Sequence, residues 1–296
     1  MEFLSKNKYT LYGVAAILLW SCLVALLRDI SELFSPIGGA AAMYSVSAIF
    51  LILVMGVPKF SGFSKRYLVI GTLLFVSYEI CLALSIGMAN SRHQAMEMAV
   101  INYLWPTLTI LLSIIIGRKK VSYWVYPSMI IAFLGVAWCI TGDQEMSLDT
   151  LVTNFADNPS TYLMALAAAF IWAIYCVVTQ KLSNGKNAIT LFFTVTAMSL
   201  WAQYGFSNEA PLTFSLSSSI TLLLAGVVVG SGYALWNQAI IGGNLMLLGT
   251  LSYFTPVFSS IISALYLSIT LSASFWQGVV LVTVGSLICY FVTREK

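Results

Sequence analysis

Ten apolar stretches of about 20 residues follow one another along the chain and leave only short segments between them. A helix needs about 20 mostly apolar residues to cross the hydrocarbon layer of a bilayer. This pattern predicts an all-α membrane protein with ten transmembrane helices and no attached soluble domain. The stretches are 9–30, 35–57, 67–89, 93–116, 122–141, 160–181, 186–206, 216–240, 243–267 and 272–293.

Composition supports a membrane protein and excludes several functional classes. Only 8% of the residues are charged, whereas soluble proteins average about 25%. No Lys/Arg cluster is interleaved with aromatic residues, so no nucleic-acid partner is expected. The sequence contains no HExxH, GxSxG or Cys/His cluster, which predicts no enzyme, no cofactor and no metal site. The five cysteines lie inside apolar stretches and are expected to be free thiols.

The basic residues predict the orientation of the chain. If both termini are cytoplasmic, 12 of the 14 Lys and Arg residues fall in cytoplasmic segments, as the positive-inside rule requires. The two exceptions are Arg28 and Arg92. The connection 142–159 holds four acidic residues and no basic one, which is typical of an external loop.

A short motif is repeated between the two halves of the chain. Asn102 to Pro106 lies about two thirds of the way along one stretch, and Ser252 to Pro256 takes the same place in another, 150 residues later. Trp20 and Trp172, each preceded by an Ala-Ala pair, recur at an offset of 152. Internal repeats in a very apolar chain are typical of transporters.

The repeat divides the chain into a first five-span half at 1–141, an external connecting loop at 142–159 and a second five-span half at 160–296. Because five is an odd number, the second half must enter the membrane from the opposite side. The halves are therefore expected to be inverted repeats that share a cavity near the midplane.

Aromatic and amide side chains near span centres are candidates for that cavity. Trp and Tyr normally gather at the membrane interfaces, so their depth here needs another explanation. They either pack as core or line a binding site on several helices. The candidates are Trp20, Tyr78, Asn102, Tyr103, Trp105, Trp172, Tyr175, Tyr233, Trp236, Asn237 and Tyr253.

Glu79 and Glu97 are the candidate functional carboxylates within the predicted spans. Glu79 is mid-way along span three and is either functional or a structural carboxylate bonded to a neighbouring helix. Glu97, on a predicted helix face with Gln94 and Trp105, could bind a substrate ammonium; the alternative is an interfacial pair with Arg92. Since no Lys or Arg lies at depth, the cavity suits cations, zwitterions and neutral aromatics.

Pro106 and Pro256 are expected to kink their spans, because proline removes a helical hydrogen bond. Their equivalent positions in the two halves predict a pair of hinges. The small-residue pair Gly226 and Gly230 is expected to serve packing within the chain, so a monomer is predicted.

Several stretches resemble bacterial exporters of the drug/metabolite transporter superfamily that have two five-span halves. The resemblance implies an inner-membrane protein that exports Phe, Tyr and Trp by alternating access. Alternatives are a broad exporter of aromatic cations and drugs, for example of the viologen type, and a non-transporting membrane scaffold. The stretches are Leu19 to Ser21, Pro36 to Ala42, Phe75 to Ser85, His93 to Glu97, Asn102 to Pro106, Tyr253 to Pro256 and Ser274 to Gly278.

Overall fold

A computed structural model describes residues 2–57, 62–117, 122–141, 148–243, 248, 251–252 and 254–293. Within these ranges the chain forms thirteen helices and no strand. They are α1 (Glu2–Trp20), α2 (Leu23–Leu33), α3 (Pro36–Met55), α4 (Lys65–Gly87), α5 (Arg92–Asn102), α6 (Trp105–Gly117), α7 (Val125–Thr141), α8 (Leu148–Asp157), α9 (Pro159–Leu182), α10 (Ile189–Phe206), α11 (Leu216–Gly242), α12 (Thr255–Tyr266) and α13 (Ala273–Thr293).

The helices are those of an all-α membrane protein, as predicted. Five helical segments are long and apolar enough to cross a bilayer, and three further apolar helices are shorter. The long segments are Asn7–Leu33, Pro36–Met55, Lys65–Gly87, Pro159–Leu182 and Leu216–Gly242, and the shorter ones are Val125–Cys139, Thr255–Tyr266 and Ala273–Cys289.

Spans one, four and nine contain breaks that the apolar pattern does not show. A turn at Ser21 and Cys22 separates α1 from α2, and two residues, Tyr103 and Leu104, separate α5 from α6. In span nine, Phe254 lies in a turn directly before α12. Apolar residues continue through each of these turns, so hydropathy alone does not reveal them.

Pro106 and Pro256, which take equivalent positions in the two halves, lie in the first turns of their helices and do not bend them. Pro106 is the second residue of α6, and Pro256 is the second residue of α12. The N–H groups of a first helical turn have no intrahelical partner, so proline costs little there. The expected mid-helix kinks are therefore helix starts, each preceded by a turn that ends two residues before the proline.

The connection between the halves, expected to be a loop, contains helix α8. Phe155 on α8 packs against Tyr162 of α9, with ring centroids 5.7 Å apart. Leu148, Val152 and Phe155 follow a helical spacing of four and three residues, and the polar residues between them, Asp149 among them, obscure that pattern in the sequence.

Helices α7 and α13 are packed backbone to backbone through two glycines. A Cβ atom added to Gly135 would lie 2.6 Å from the Val282 nitrogen, and one added to Gly285 would lie 2.6 Å from the Ala132 nitrogen. Neither distance is possible for a real side chain, so this approach requires glycine at both positions. Gly226 and Gly230 similarly pack on α3, which confirms their role in packing within the chain.

Candidate functional site

Trp172, at the middle of α9, is the centre of a buried cluster of aromatic rings. The cluster includes rings from both halves of the chain, and each of the following was a candidate from the sequence. The distance from the Trp172 ring centroid to the neighbouring ring centroid is 4.4 Å for Tyr78, 4.9 Å for Tyr175, 5.5 Å for Tyr233, 5.7 Å for Trp20 and 6.3 Å for Trp105.

Trp236 completes the cluster on the side of α11. Its ring centroid lies 4.8 Å from that of Trp20 and 5.8 Å from that of Trp105. Trp20 can approach α11 because residue 232 is glycine: a Cβ there would lie 3.0 Å from Cδ1 of the indole. The depth of these aromatics in the sequence therefore indicated a real convergence of side chains.

A small cavity opens beside these rings. Its volume is about 30 Å³, which is room for water molecules only. Sites for drug-sized ligands usually hold roughly 300–1,000 Å³. The rings and helices must therefore separate before a solute with an aromatic ring can enter. The lining residues are Trp20, Leu23, Val24, Tyr78, Leu82, Ile86, Ala99, Asn102, Tyr103, Trp105, Trp172, Tyr233 and Thr255.

Three polar atoms of the lining have no hydrogen-bond partner in the described part of the chain. They are Trp20 Nε1, Asn102 Oδ1 and Thr255 Oγ1. A buried polar group without a partner costs about 1–3 kcal/mol. The three atoms supply an indole N–H donor, an amide oxygen acceptor and a hydroxyl that can act as either. They suit a bound zwitterion or ordered water.

Glu79 lies behind the cavity wall. It is fully buried, and the Tyr44 hydroxyl donates a hydrogen bond to its Oε2. Its Oε1 has no partner within the described residues. The neighbouring Tyr78 does line the cavity, and it accepts a hydrogen bond of 3.3 Å from the Tyr233 hydroxyl.

Glu97 does not line the cavity. It accepts a hydrogen bond from Tyr162 of α9. The break before α6 removes the face that Glu97 was expected to share with Trp105, because the two residues belong to different helices. The alternative pairing with Arg92 is also absent among the described contacts, since Arg92 binds Glu32 with an Nη2–Oε2 distance of 2.6 Å.

Two further candidates, Tyr175 and Asn237, do not line the cavity. The Tyr175 hydroxyl donates to Asn237 Oδ1 over 2.9 Å, and Asn237 Nδ2 donates to Asn187 Oδ1 over 3.0 Å. These amides extend toward the connection between α9 and α10. Tyr253 lies outside the described residues.

Several residues around the cluster were not predicted from the sequence. The Phe75 ring centroid lies 5.4 Å from that of Tyr175, and the Phe193 centroid lies 5.7 Å from that of Tyr233. Phe75 precedes Tyr78 by three residues, so helical spacing could have indicated it. Tyr44 and Tyr162, the donors to the two carboxylates, carry no such signal.

Comparison with known proteins identifies the family of this chain. Residues 159–291 match the EamA-like transporter family. The aromatic amino acid exporter YddG of Salmonella typhimurium (strain 14028s / SGSC 2262) is 46% identical over 293 residues, which cover 99% of this chain and 100% of that protein. The chain belongs to the YddG family. It is accordingly a multi-pass membrane protein of a transporter family and not an enzyme.

Two other relatives extend the comparison. The YddG exporter of Escherichia coli (strain K12) is 45% identical over 99% of this chain and 100% of its own length. A crystal structure with 21% sequence identity superposes with a TM-score of 0.69, covering 98% of this chain and 99% of that one. The superposition on this crystal structure shows that the two proteins share a fold.

Proposed function

We propose that this member of the YddG family exports Phe, Tyr and Trp by alternating access through the central cavity. The observation that carries the proposal is the aromatic cluster around Trp172, which borders a cavity with three unpartnered polar atoms. The relatives named above are aromatic amino acid exporters, which supports the same substrate class.

Each part of an aromatic amino acid finds a matching group in the lining. The substrate ring would stack on Trp172 and Trp20, with about 0.5–1.5 kcal/mol from each good ring contact. Asn102 Oδ1 would accept a hydrogen bond from the ammonium group. The Trp20 N–H and the Thr255 hydroxyl would donate to the carboxylate.

A broad exporter of aromatic cations is the second candidate. The lining residues described here include no Lys or Arg, and a cation over a Trp face gains roughly 0.5–2 kcal/mol. Export of amino acids requires carboxylate recognition in addition, so competition by amino acids and by aromatic cations lacking a carboxylate separates the two.

The packing of α7 on α13 supports two inverted repeats, at 1–141 and 160–296. Gly135 approaches Gly278 and Val282, and Gly285 approaches Ser128 and Ala132. Adding 150 to the residues of one half gives those of the other, so the two contacts exchange under a twofold rotation.

The other helix pairs support the same relation. The pairing of α4 with α9 joins spans three and six, and that of α1 with α11 joins spans one and eight. In a repeat of five spans these two pairs are equivalent. Rocking of one half against the other would then use the breaks before Pro106 and Pro256 as hinges.

The distribution of basic residues supports both termini lying in the cytoplasm of a bacterial cell and the transporter in its inner membrane. Contacts between loops support the grouping of the external segments on one side of the membrane. Segments expected outside bind each other: Arg92 donates to the Leu267 carbonyl, and Glu209 accepts from the Ile37 backbone. The proposal treats the protein as a monomer, surrounded by lipid.

Cysteine labelling tests the orientation. Asp157 and Lys186 are both exposed and lie on opposite sides of the proposed topology. In a variant without native cysteines, Cys at 157 should react with an impermeant maleimide added to intact cells, and Cys at 186 only after permeabilisation. The reverse pattern would exclude cytoplasmic termini.

Counterflow in proteoliposomes tests the function. Vesicles preloaded with unlabelled Phe should accumulate labelled Phe transiently and saturably, because a carrier exchanges one substrate for another. Linear, unsaturable flux would indicate a channel. The absence of any flux from correctly folded protein would leave the scaffold interpretation.

Three variants test how the ammonium is recognised. Preference is measured as the transport of Phe relative to 3-phenylpropionate, which lacks the amine. Asn102→Leu should reduce this preference by about three- to tenfold, the scale of one lost hydrogen bond. Glu97→Gln and Glu79→Gln should retain it, because neither carboxylate lines the cavity. Loss of preference in Glu97→Gln alone would place the ammonium at Glu97, in agreement with the sequence hypothesis.

A further inference from the structure

Arg28 lies next to the cavity lining, on the side that faces the proposed exterior. Leu23 and Val24 line the cavity from α2, and Arg28 is one turn further along the same face. Its Nη1 donates to the carbonyl of Ile86, itself a lining residue, over 3.4 Å, and to that of Ala89 over 2.6 Å. Only 9% of Arg28 is exposed. The guanidinium is therefore the first basic group beyond the cavity on this path.

Arg28 and a second arginine, Arg92, both bind the carboxylate of Glu32. Arg28 Nε donates to Glu32 Oε1 over 2.7 Å. Arg92 also donates to Glu32, with contacts of 2.6 to 3.1 Å to both oxygens. The nearby Asp29 carboxylate accepts from Tyr266 over 2.8 Å. Glu32 therefore keeps a cationic partner whenever Arg28 turns to another anion.

The hydrogen bonds of Arg28 leave room for a further acceptor. Nε and Nη1 are bonded as described above, and Nη2 has no partner among the residues for which the structure gives side chains. A guanidinium binds a carboxylate best through two parallel N–H groups, for example Nε and Nη2. Exchange of Glu32 for another carboxylate would satisfy that geometry.

We propose that Arg28 is a second binding point for the substrate carboxylate, reached as the amino acid leaves the central cavity. This inference rests on the proposed function and on export toward the α2–α3 connection. Arg28 then releases Glu32, Arg92 keeps it paired, and no buried charge is left without a counterion. Substrates without a carboxylate gain nothing at this point and meet a positive charge. Arg28 thus selects amino acids over aromatic cations.

The test compares L-phenylalanine with L-phenylalaninamide, which keeps the ring and the amine and lacks the anionic carboxylate. Both are measured by counterflow in proteoliposomes containing the full chain. Arg28→Gln should lower the preference for phenylalanine by about tenfold, the scale of a charge-assisted hydrogen bond. Arg28→Lys should restore part of it, because the charge is retained without the bidentate geometry.

Two variants of the same network serve as controls. Arg92→Gln should also lower the preference for phenylalanine, but less than Arg28→Gln does, because Glu32 then depends on Arg28 alone while Arg28 itself is retained. Glu32→Gln should raise the preference for phenylalanine, because it removes the competing anion. This opposite sign keeps the test decisive if Arg28→Gln fails to fold.

An unchanged preference in Arg28→Gln, or a lower preference in Glu32→Gln, would overturn the proposal and leave Arg28 as a structural tie between α2 and α4. The absence of phenylalanine counterflow in the unaltered protein would instead overturn the proposed function itself.

Discussion

Replacing Trp172 by alanine should weaken the binding of aromatic amino acids by about 1–3 kcal/mol, or roughly 5- to 150-fold. Trp172 makes ring contacts with Trp20, Phe75, Tyr78, Tyr175 and Tyr233, so its removal would disorder the surface on which a substrate ring stacks. The measurement is the apparent affinity for Phe, from counterflow and from equilibrium binding.

Conservative variants separate stacking from packing. Trp172→Phe keeps an aromatic face and should recover much of the lost affinity, whereas Trp172→Leu fills space without one. Each variant is also compared for thermal unfolding, because a large-to-small change in a core costs about 3–5 kcal/mol of stability by itself. If Leu restores affinity as well as Phe does, Trp172 is a packing residue and the ring-recognition hypothesis fails.

The substitutions Gly135→Ala and Gly285→Ala should each lower the free energy of unfolding severely, by about 2–4 kcal/mol or more. The new Cβ atom would meet the backbone of the facing helix at 2.6 Å, and backbone cannot move aside without separating α7 from α13. The expected readout is a large drop in the thermal midpoint in detergent, with little correctly folded protein recovered.

Gly205→Ala is the matched control for this pair. It also lies in a helix, α10, but a Cβ there has no atom within 4 Å. It should therefore be neutral or slightly stabilising, because alanine favours helix. Similar losses at 135 and 285 would support the twofold relation of the halves. A severe effect at one glycine only would contradict it.

The sequence predicted the aromatic site better than the charged groups around it. Trp20, Tyr78 and Trp172 converge because large rings at mid-membrane depth must pack on one another, and depth can be read from hydropathy. The surroundings of Glu97 depend on a helix break that hydropathy cannot reveal. Its true partner, Tyr162, is 65 residues away in the chain.

Arg28 and Arg92 illustrate the same limit. In the sequence they are only two exceptions to the charge bias of the loops. Their joint contact with Glu32, and the bonds from Arg28 to the end of α4, depend on tertiary packing. Counting charges places such residues on one side of a membrane, but it does not indicate what they bind.

The turn at Ser21 and Cys22 distinguishes the first half of the chain from the second. The corresponding residues of the second half, 152 positions later, lie inside the uninterrupted helix α9. Two identical inverted halves would give inward- and outward-facing states of equal free energy. In the proposed inverted-repeat exporter, an interruption in one half alone would remove that degeneracy and populate one orientation more at rest. The substrate concentration for half-maximal flux would then differ between the two faces of the membrane, a kinetic polarity built into the chain.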